Sequence, residues 1–183
     1  NRNADAFLTS WLDNLRLDQT EAGEVPNIIP FWKAYGIMWN NSNKVITSCG
    51  WGDACIIVPY TLYRTYGDER VLRENYGAMK KWLSYIESRM HQHHPEEYAT
   101  WDEARRKRSY YLWNTDFHYG DWLIPSMVLG NPDAGCMKQT AYATMHVVAP
   151  AYAAFSASHI AEIADILGEK EDARYYRELY DHI

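Results

Sequence analysis

Hydrophobic side chains recur along the chain at spacings of three and four residues, and no convincing stretch alternates as a half-buried strand would. The spacing predicts helices over residues 5–17, 53–66, 140–167 and 169–183, and one more that starts at Asp68 and carries apolar residues to Ile86. Gly67 and Gly168 are expected to end two helices, because glycine accepts the left-handed conformation of a helix C-cap. The pattern therefore predicts an all-α fold.

The connections between these helices differ greatly in length. Gly67 and Gly168 each lie in a tight turn, whereas the chain from Asp18 to Gly52 and from His91 to Gly120 shows no helical pattern. Connections of about thirty residues without a helical pattern are uncommon and usually functional. In a chain of antiparallel helices, alternating long and short connections place both long loops at one end. A weak repeat of this helical hairpin favours a ring of helix pairs.

Composition and charge exclude several partners. The 183 residues carry 24 Asp and Glu against 18 Lys and Arg, a net charge of −6, which disfavours nucleic acid and anionic membranes. No uninterrupted apolar run approaches the ~20 residues of a membrane span. Three cysteines argue against a disulfide scaffold. Asn1 and the unfinished helical pattern at Ile183 lead us to expect a piece of a longer chain, which leaves localisation open.

Aromatic residues are abundant and concentrated in the two long loops. The chain has 8 Trp, 15 Tyr and 4 Phe, so most of its aromatic side chains have a polar edge. We expect about half of the loop aromatics to pack onto the helices and the others to form a binding rim. The loop residues in question are Phe31, Trp32, Tyr35, Met38, Trp39, Tyr98, Trp101, Tyr110, Tyr111, Trp113 and Phe117.

Two similar motifs stand where the long loops end. They are Gly50-Trp51-Gly52-Asp53-Ala54 and His118-Tyr119-Gly120-Asp121-Trp122-Leu123. A Trp face can stack on the apolar face of a sugar ring, and a carboxylate accepts hydrogen bonds from sugar hydroxyls. The alternative is that each Asp is an ordinary helix N-cap and each Trp is core. The recurrence of the pair favours binding, so the candidate site residues are Trp51, Asp53, Asp121 and Trp122.

Other chemistries find less support. His91, His93 and His94 suggest a zinc site, but cations near a helix C-terminus are a better explanation, so no metal site is predicted. The basic run from Arg105 to Arg108 is flanked by acidic residues and is expected to be a solvated loop. The chain contains no Gly-x-Ser-x-Gly, His-Glu-x-x-His or phosphate-binding glycine loop. No cofactor is predicted, and carboxylate-based carbohydrate chemistry remains.

Four blocks, in order, resemble the helical catalytic domain of bacterial α-L-rhamnosidases, glycoside hydrolase family 78 of the six-hairpin glycosidase group. The third block, Gly120 to Leu123, is the second signature of the resemblance. The most specific is the second block, which comprises Gly50 to Ala54, Pro59-Tyr60, Tyr63, Tyr66-Gly67-Asp68, Leu72, Tyr76, Met79-Lys80 and Trp82-Leu83-Tyr85. The first and last blocks comprise Phe7-Leu8, Trp11-Leu12, Gln19, Gly23, Val25, Pro26 and Pro30, and Ala151-Tyr152, Ile163-Ala164, Leu167-Gly168, Asp172-Ala173 and Tyr175-Tyr176.

The resemblance implies a segment of an (α/α)6 toroid, with about five of about twelve helices in this chain. Residues 1–183 would be an internal segment of a single catalytic domain, with flanking parts missing at both ends. The implied reaction is hydrolysis of terminal α-L-rhamnosides with inversion, which needs two carboxyl groups ~6.5–9.5 Å apart. The family's acid motif, Asp-Glu-Arg-x-Gly-Trp, and its Trp-Glu base motif are absent from these residues. No catalytic acid or base is therefore assigned here.

By the same resemblance, Trp51 and Trp122 line the rhamnose subsite, and Asp53 and Asp121 bind hydroxyls or hold the loop–helix junctions. The expected partners are a rhamnose-containing carbohydrate and the rest of the protein's own chain. Two alternatives stay open: an (α/α)6 glycosidase of different sugar specificity, and a non-catalytic helical carbohydrate-binding or scaffold module. A segment of a ring would leave apolar faces uncovered, so the isolated chain is expected to aggregate or unfold in part.

Overall fold

The computed structural model describes residues 4–32, 45–92, 96–124 and 137–183, and within these ranges the protein is helical, without strands. The α-helices are α1 (Asp5–Asp18), α2 (Ala54–Tyr66), α3 (Arg70–Gln92), α4 (Glu103–Ser109), α5 (Met137–Leu167) and α6 (Lys170–His182). A 3₁₀-helix, Glu96–Thr100, precedes α4. The predicted all-α class is confirmed.

The second long connection contains structure that the sequence pattern did not predict. Its 3₁₀-helix and α4 lie in a stretch expected to be loop. α4 is polar along almost its whole length, so it has no apolar stripe that would reveal it. It begins at Asp102, whose side chain accepts a hydrogen bond of 2.7 Å from the Arg105 backbone N–H.

Two helical hairpins form the scaffold. α2 turns into α3 at Gly67 and α5 turns into α6 at Gly168, and both glycines have positive φ, 74° and 83°. The Gly67 N–H donates to the Tyr63 carbonyl at 2.7 Å, which closes the last turn of α2. The two tight turns thus lie where the sequence predicted them.

The hairpins pack so that both long connections meet at one end. Near the turns, the Tyr76 hydroxyl of α3 donates to Asp172 of α6 at 2.8 Å. At the opposite end, the ring of Tyr111 lies 5.5 Å from His91 of α3 and 4.7 Å from His182 of α6, measured between centroids. The ends of α3 and α6 and the second long connection therefore share one face, as the alternation of loop lengths predicts.

The core lies between α3 and α5, and α1 packs against α2 and α3. Trp82 on α3 and Ile160 and Ile163 on α5 are fully buried. Small side chains let α5 approach its neighbours closely, and the fully or almost fully buried alanines of α5 are Ala141, Ala149, Ala153, Ala157, Ala161 and Ala164. α1 is tied to α3 through Arg16, which donates to the Asn75 side chain at 2.6 Å.

α5 has one property that the search for an uninterrupted apolar run did not bring out. Its residues Thr140–Leu167 are long and apolar enough to cross a membrane by length and composition, although no uninterrupted apolar run of that kind was expected. Alanine, threonine and serine residues separate the large apolar side chains of this helix, so its average is apolar although no long run is uninterrupted. Since 44% of its most apolar stretch is buried and the core helix of a soluble protein meets the same criterion, this is weak evidence for a membrane span.

Candidate functional site

The two predicted tryptophans meet at the end of the molecule that carries the long loops. The ring of Tyr119 packs against both, at 4.6 Å from Trp51 and 5.3 Å from Trp122, and the two indoles are 6.2 Å apart between centroids. We call Trp51, Tyr119 and Trp122 the aromatic wall. Trp51 is 37% exposed whereas Tyr119 is buried, so the wall has an open edge and an anchored middle.

An open cleft lies beside Trp51. It has a volume of about 360 Å³ and is lined by residues of α1, the first long connection, the start of α2, and α5. This volume is at the lower end of the range of small-molecule sites. The side chains of Trp11, Trp51 and Tyr152 give it aromatic sides, and Asn27 adds an amide. The arrangement suits a small ligand that has both apolar and hydrogen-bonding faces.

Asp53, immediately before α2, is completely buried. Its carboxylate accepts hydrogen bonds from the Gly50 N–H at 2.7 Å, Trp82 Nε1 at 2.9 Å and Ser156 Oγ at 2.5 Å. These contacts join the first long loop to α3 and α5, and none of them is the side-chain N-cap bond that the alternative interpretation expected. Of the two roles left open for Asp53, its contacts match the one at the loop–helix junction.

Burial sets the electrostatics of this junction. Removal from water raises the pKa of Asp53, because the carboxylate loses hydration, while the three hydrogen bonds oppose that rise. The same burial, with a smaller contribution from the Asp53 charge, raises the pKa of the Cys49 thiol to about 12. Cys49 is therefore a buried neutral thiol, without the character of a nucleophile.

Gly52 allows the loop to pass close to the core. A Cβ built on Gly52 would lie 2.3 to 2.8 Å from ring carbons of Trp82, so no larger residue fits there without displacing that indole. Trp82 is itself held by its bond to Asp53. The backbone on the C-terminal side of Trp51 is thus fixed against α3, and this determines where the Trp51 ring emerges.

Asp121, in the second motif, has different surroundings. Its side chain is exposed, and its backbone N–H donates to Thr144 Oγ1 on α5 at 2.7 Å. Residues 122–123 form a turn, so Asp121 does not cap a helix there. Thr140 Oγ1 donates to the Trp122 carbonyl at 2.6 Å, which fixes the next residue to the same helix. The Asp121 carboxylate has no hydrogen-bond or ion-pair partner among the described residues, and it remains available to a ligand.

His118 links the two loops that carry the tryptophans, a role that the sequence did not indicate. Its Nδ1 accepts a 3.1 Å hydrogen bond from the Cys49 backbone N–H, and its Nε2 lies 3.0 Å from the Thr115 carbonyl. These partners assign the neutral tautomer with the proton on Nε2. Burial lowers the pKa of His118 to about 4, so the imidazole is neutral near pH 7. Only its place in the second motif could have pointed to it.

The loop that carries His118 is anchored to α3. Arg89 forms an ion pair with Asp116, and Trp113 Nε1 donates to the same carboxylate at 3.0 Å. Burial alone would raise the pKa of Asp116, but the hydrogen bonds from Arg89 and Trp113 outweigh it and lower that pKa. Asp116 also has a positive φ of 67°, so the loop turns sharply one residue before Phe117.

The remaining candidates divide between core, surface and undescribed residues. Trp113 is 1% exposed and belongs to the core, while Tyr110 stacks on His91 at 4.2 Å. His91 was expected to be a cation, but burial lowers its pKa. Among the described residues, no three His, Cys, Asp or Glu side chains are placed to hold a metal ion. Other predicted candidates fall outside the described residues: Tyr35, Met38, Trp39, His93 and His94.

Comparison with known proteins gives a consistent result. The family described as the bacterial alpha-L-rhamnosidase 6 hairpin glycosidase domain matches residues 1–183. An alpha-L-rhamnosidase of Formosa agariphila is 29% identical over 99% of this chain and 16% of its own length. One of Streptomyces avermitilis is 34% identical over 97% of this chain and 13% of its own. The chain thus spans less than a fifth of these relatives.

Solved structures show the same likeness. The Streptomyces avermitilis alpha-L-rhamnosidase complexed with L-rhamnose superposes with a TM-score of 0.65 at 31% identity, over 98% of this chain and 13% of that one. The alpha-L-rhamnosidase of Aspergillus terreus superposes with a TM-score of 0.66 at 26% identity, over 98% and 17%. The all-helical fold, a segment of an α/α toroid, and the resemblance found in the motifs are confirmed. The chain belongs to the bacterial α-L-rhamnosidase six-hairpin glycosidase family.

Proposed function

We propose that this chain is an internal segment of the catalytic domain of an inverting glycoside hydrolase that removes terminal α-L-rhamnose from rhamnosides. In this proposal the segment supplies one side of the sugar subsite, and the acid and base come from other parts of the protein. The observation that carries the proposal is the aromatic wall, because it brings Trp51 and Trp122 together from two separate loops.

The wall suits a 6-deoxy sugar. Rhamnose has a methyl group at C6 and apolar C–H faces, which gain from contact with indole and phenol rings. The exposed edge of Trp51 offers such a surface, and the exposed carboxylate of Asp121 can accept hydrogen bonds from hydroxyl groups. Asp53 has no exposed surface, so we assign it to holding the Trp51 loop rather than to the sugar.

The chemical step requires groups that these residues do not supply. An inverting mechanism uses one carboxylic acid to protonate the leaving oxygen and one carboxylate to activate water. The acid and base motifs of the family are absent from residues 1–183. We therefore place both groups outside this segment, and we expect the wall to affect binding and orientation more than proton transfer.

The test uses the full-length protein with a nitrophenyl α-L-rhamnoside as substrate. Trp51→Ala and Trp122→Ala should each lower kcat/KM by about tenfold or more, as expected when an aromatic anchor is lost. Trp101→Ala is the matched control, because Trp101 contacts Tyr98 and Arg105 on the second loop and is not part of the wall. Its kcat/KM should stay within about threefold of the wild type.

Two outcomes would replace the proposal. Turnover of another nitrophenyl glycoside without turnover of the rhamnoside would favour the (α/α)6 glycosidase of different specificity. Absence of all turnover, together with no change of Trp fluorescence on adding L-rhamnose, would favour a helical module without catalytic function. The stereochemistry is tested separately by NMR, since inversion of an α-L-rhamnoside must release the β-anomer first.

A further inference from the structure

The aromatic wall depends on two loops that are far apart in sequence. Trp51 lies at the end of the first long connection, Tyr119 lies at the end of the second, and Trp122 comes two residues after Gly120. Their ring contacts of 4.6 to 6.2 Å persist only if the two loops keep a fixed position relative to each other. The hydrogen bonds of Asp53 fix the first loop to α3 and α5, and those of Thr140 and Thr144 fix the second to α5. A direct polar link between the loops is therefore of special interest.

His118 provides that link at the base of the wall. It is 1% exposed, and it accepts the Cys49 N–H, two residues before Trp51, while standing next to Tyr119 in the chain. Its ring meets Trp113 edge to face at 4.3 Å, and Trp113 packs in turn on Trp82 at 5.8 Å. A backbone N–H buried at this point would be costly without an acceptor.

We propose that His118 is a positioning residue for the sugar subsite: through its Nδ1 it holds the Cys49 backbone, and so sets the place of Trp51 against Tyr119 and Trp122. This inference rests on the proposed function, because it concerns the same wall. His118 touches no sugar in this account. It acts only through the two loops, and the relevant atom is the lone pair on Nδ1.

The surroundings of His118 keep that lone pair available. The charged and titratable groups that face it are Asp116 on its own loop, Arg89 on α3 and His146 on α5. The Asp116 charge favours protonation, but burial outweighs it, which is why the pKa of His118 falls to about 4. The bond from Nε2–H to the Thr115 carbonyl orients the ring and leaves Nδ1 free to accept.

Two amide substitutions separate the two bonds of the ring. In His118→Asn, the amide oxygen lies near the position of Nδ1 and can accept the Cys49 N–H. In His118→Gln, the amide reaches the position of Nε2 and can donate to Thr115, but no acceptor remains for Cys49. Both variants are made in the full-length protein, with His159→Asn as a matched control at a histidine of α5 that contacts Tyr60 and Phe155 and lies outside the wall.

The readout is the Kd for L-rhamnose, followed by Trp fluorescence at pH 7. We expect His118→Gln to raise the Kd by about tenfold or more, and His118→Asn and His159→Asn to stay within about threefold of the wild type. If His118 has only a general structural role, His118→Asn and His118→Gln should raise the Kd for L-rhamnose equally, and that result would overturn the inference. Unchanged affinity in His118→Gln would overturn it as well.

A second measurement does not depend on whether His118→Gln folds. If binding requires the two loops to be held together by the His118–Cys49 hydrogen bond, then bound sugar must stabilise that arrangement in return. Hydrogen exchange of the Cys49 amide in the wild-type protein should then slow by about tenfold at L-rhamnose concentrations near ten times Kd. Exchange that is indifferent to the sugar would overturn the inference.

Trp51→Ala distinguishes failure of the proposed function from failure of the role assigned to His118. If this variant binds rhamnose as well as the wild type does, the proposed function fails and the inference fails with it. If Trp51→Ala loses binding while His118→Gln keeps it, the wall stands and only the role of His118 is refuted.

Discussion

Replacing Asp53 with alanine should destabilise the protein by about 2–6 kcal/mol. The substitution leaves the Gly50 N–H and Trp82 Nε1–H without their acceptor, and both donors are fixed in direction. Each buried donor left unpaired costs about 1–3 kcal/mol, which gives the range stated. The Ser156 hydroxyl can rotate toward another acceptor, so it adds little. Such a loss is large against the typical 5–15 kcal/mol stability of a domain.

Two further variants make the test specific. Asp53→Asn keeps one acceptor oxygen but turns an amide NH₂ toward the second donor, so it should cost about 1–3 kcal/mol. Ser156→Ala removes one donor and leaves the other two bonds of Asp53 in place, so it should cost about 1 kcal/mol or less. The assay is denaturant unfolding of the full-length protein, with hydrogen exchange of residues 48–54 as the local probe. If Asp53→Ala proves as mild as Ser156→Ala, the assignment of Asp53 as the junction residue is refuted.

The other predictions concern packing, pH and the apolar surface. Gly52→Ala should lower the melting temperature through its clash with Trp82, at a cost of about 1–3 kcal/mol. Gly77→Ala, in a helix with open space at the new Cβ, should raise it, and equal effects of the two would refute the packing argument. Because the folded pKa of His118 is about 4 against an ordinary 6.5, the unfolded chain binds more protons between these values. Unfolding free energy should therefore fall by about 3 kcal/mol from pH 7 to pH 4, and His118→Asn should lack that part. Val147 is 73% exposed beside an apolar cleft of about 430 Å³, so the isolated 183-residue chain should aggregate and Val147→Glu should reduce light scattering. A sharp melt of the unaltered, monomeric chain would contradict this.

The fold could be predicted from the sequence where helices are amphipathic or bounded by glycine. α2, α3, α5 and α6 are built on apolar residues at helical spacing, and Gly67 and Gly168 end two of them. α4 could not be found in this way because its seven residues present charges on nearly every side. Pattern-based prediction detects a helix through the face that it buries, and α4 buries almost none.

The site could be predicted only as far as its motifs. Trp51 and Trp122 were identified beside Gly-Asp pairs, but the two aspartates have opposite surroundings. Asp53 faces Trp82 and Ser156, which lie 29 and 103 residues away in the chain, so its burial follows from tertiary contacts that no local pattern contains. Asp121 is followed by a turn and remains exposed.

His118 shows the same limit for a positioning residue. Its partner is the Cys49 backbone N–H, 69 residues earlier in the chain, and a backbone group leaves no trace in the residue types of a motif. The sequence could show that a histidine precedes Tyr119, but its tautomer and its link to the first loop required the positions of both loops.

The central claim is that Trp51 and Trp122, from two loops, form one wall that binds rhamnose. A double-mutant cycle of Trp51→Ala and Trp122→Ala in the full-length protein, with the Kd for L-rhamnose measured by calorimetry, tests it most directly. We predict that each single variant loses about tenfold in affinity, and that the double variant loses less than the product of the two, with a coupling of about 0.5–1.5 kcal/mol. Losses that multiply without coupling, or affinities that stay at the wild-type value, would contradict the account.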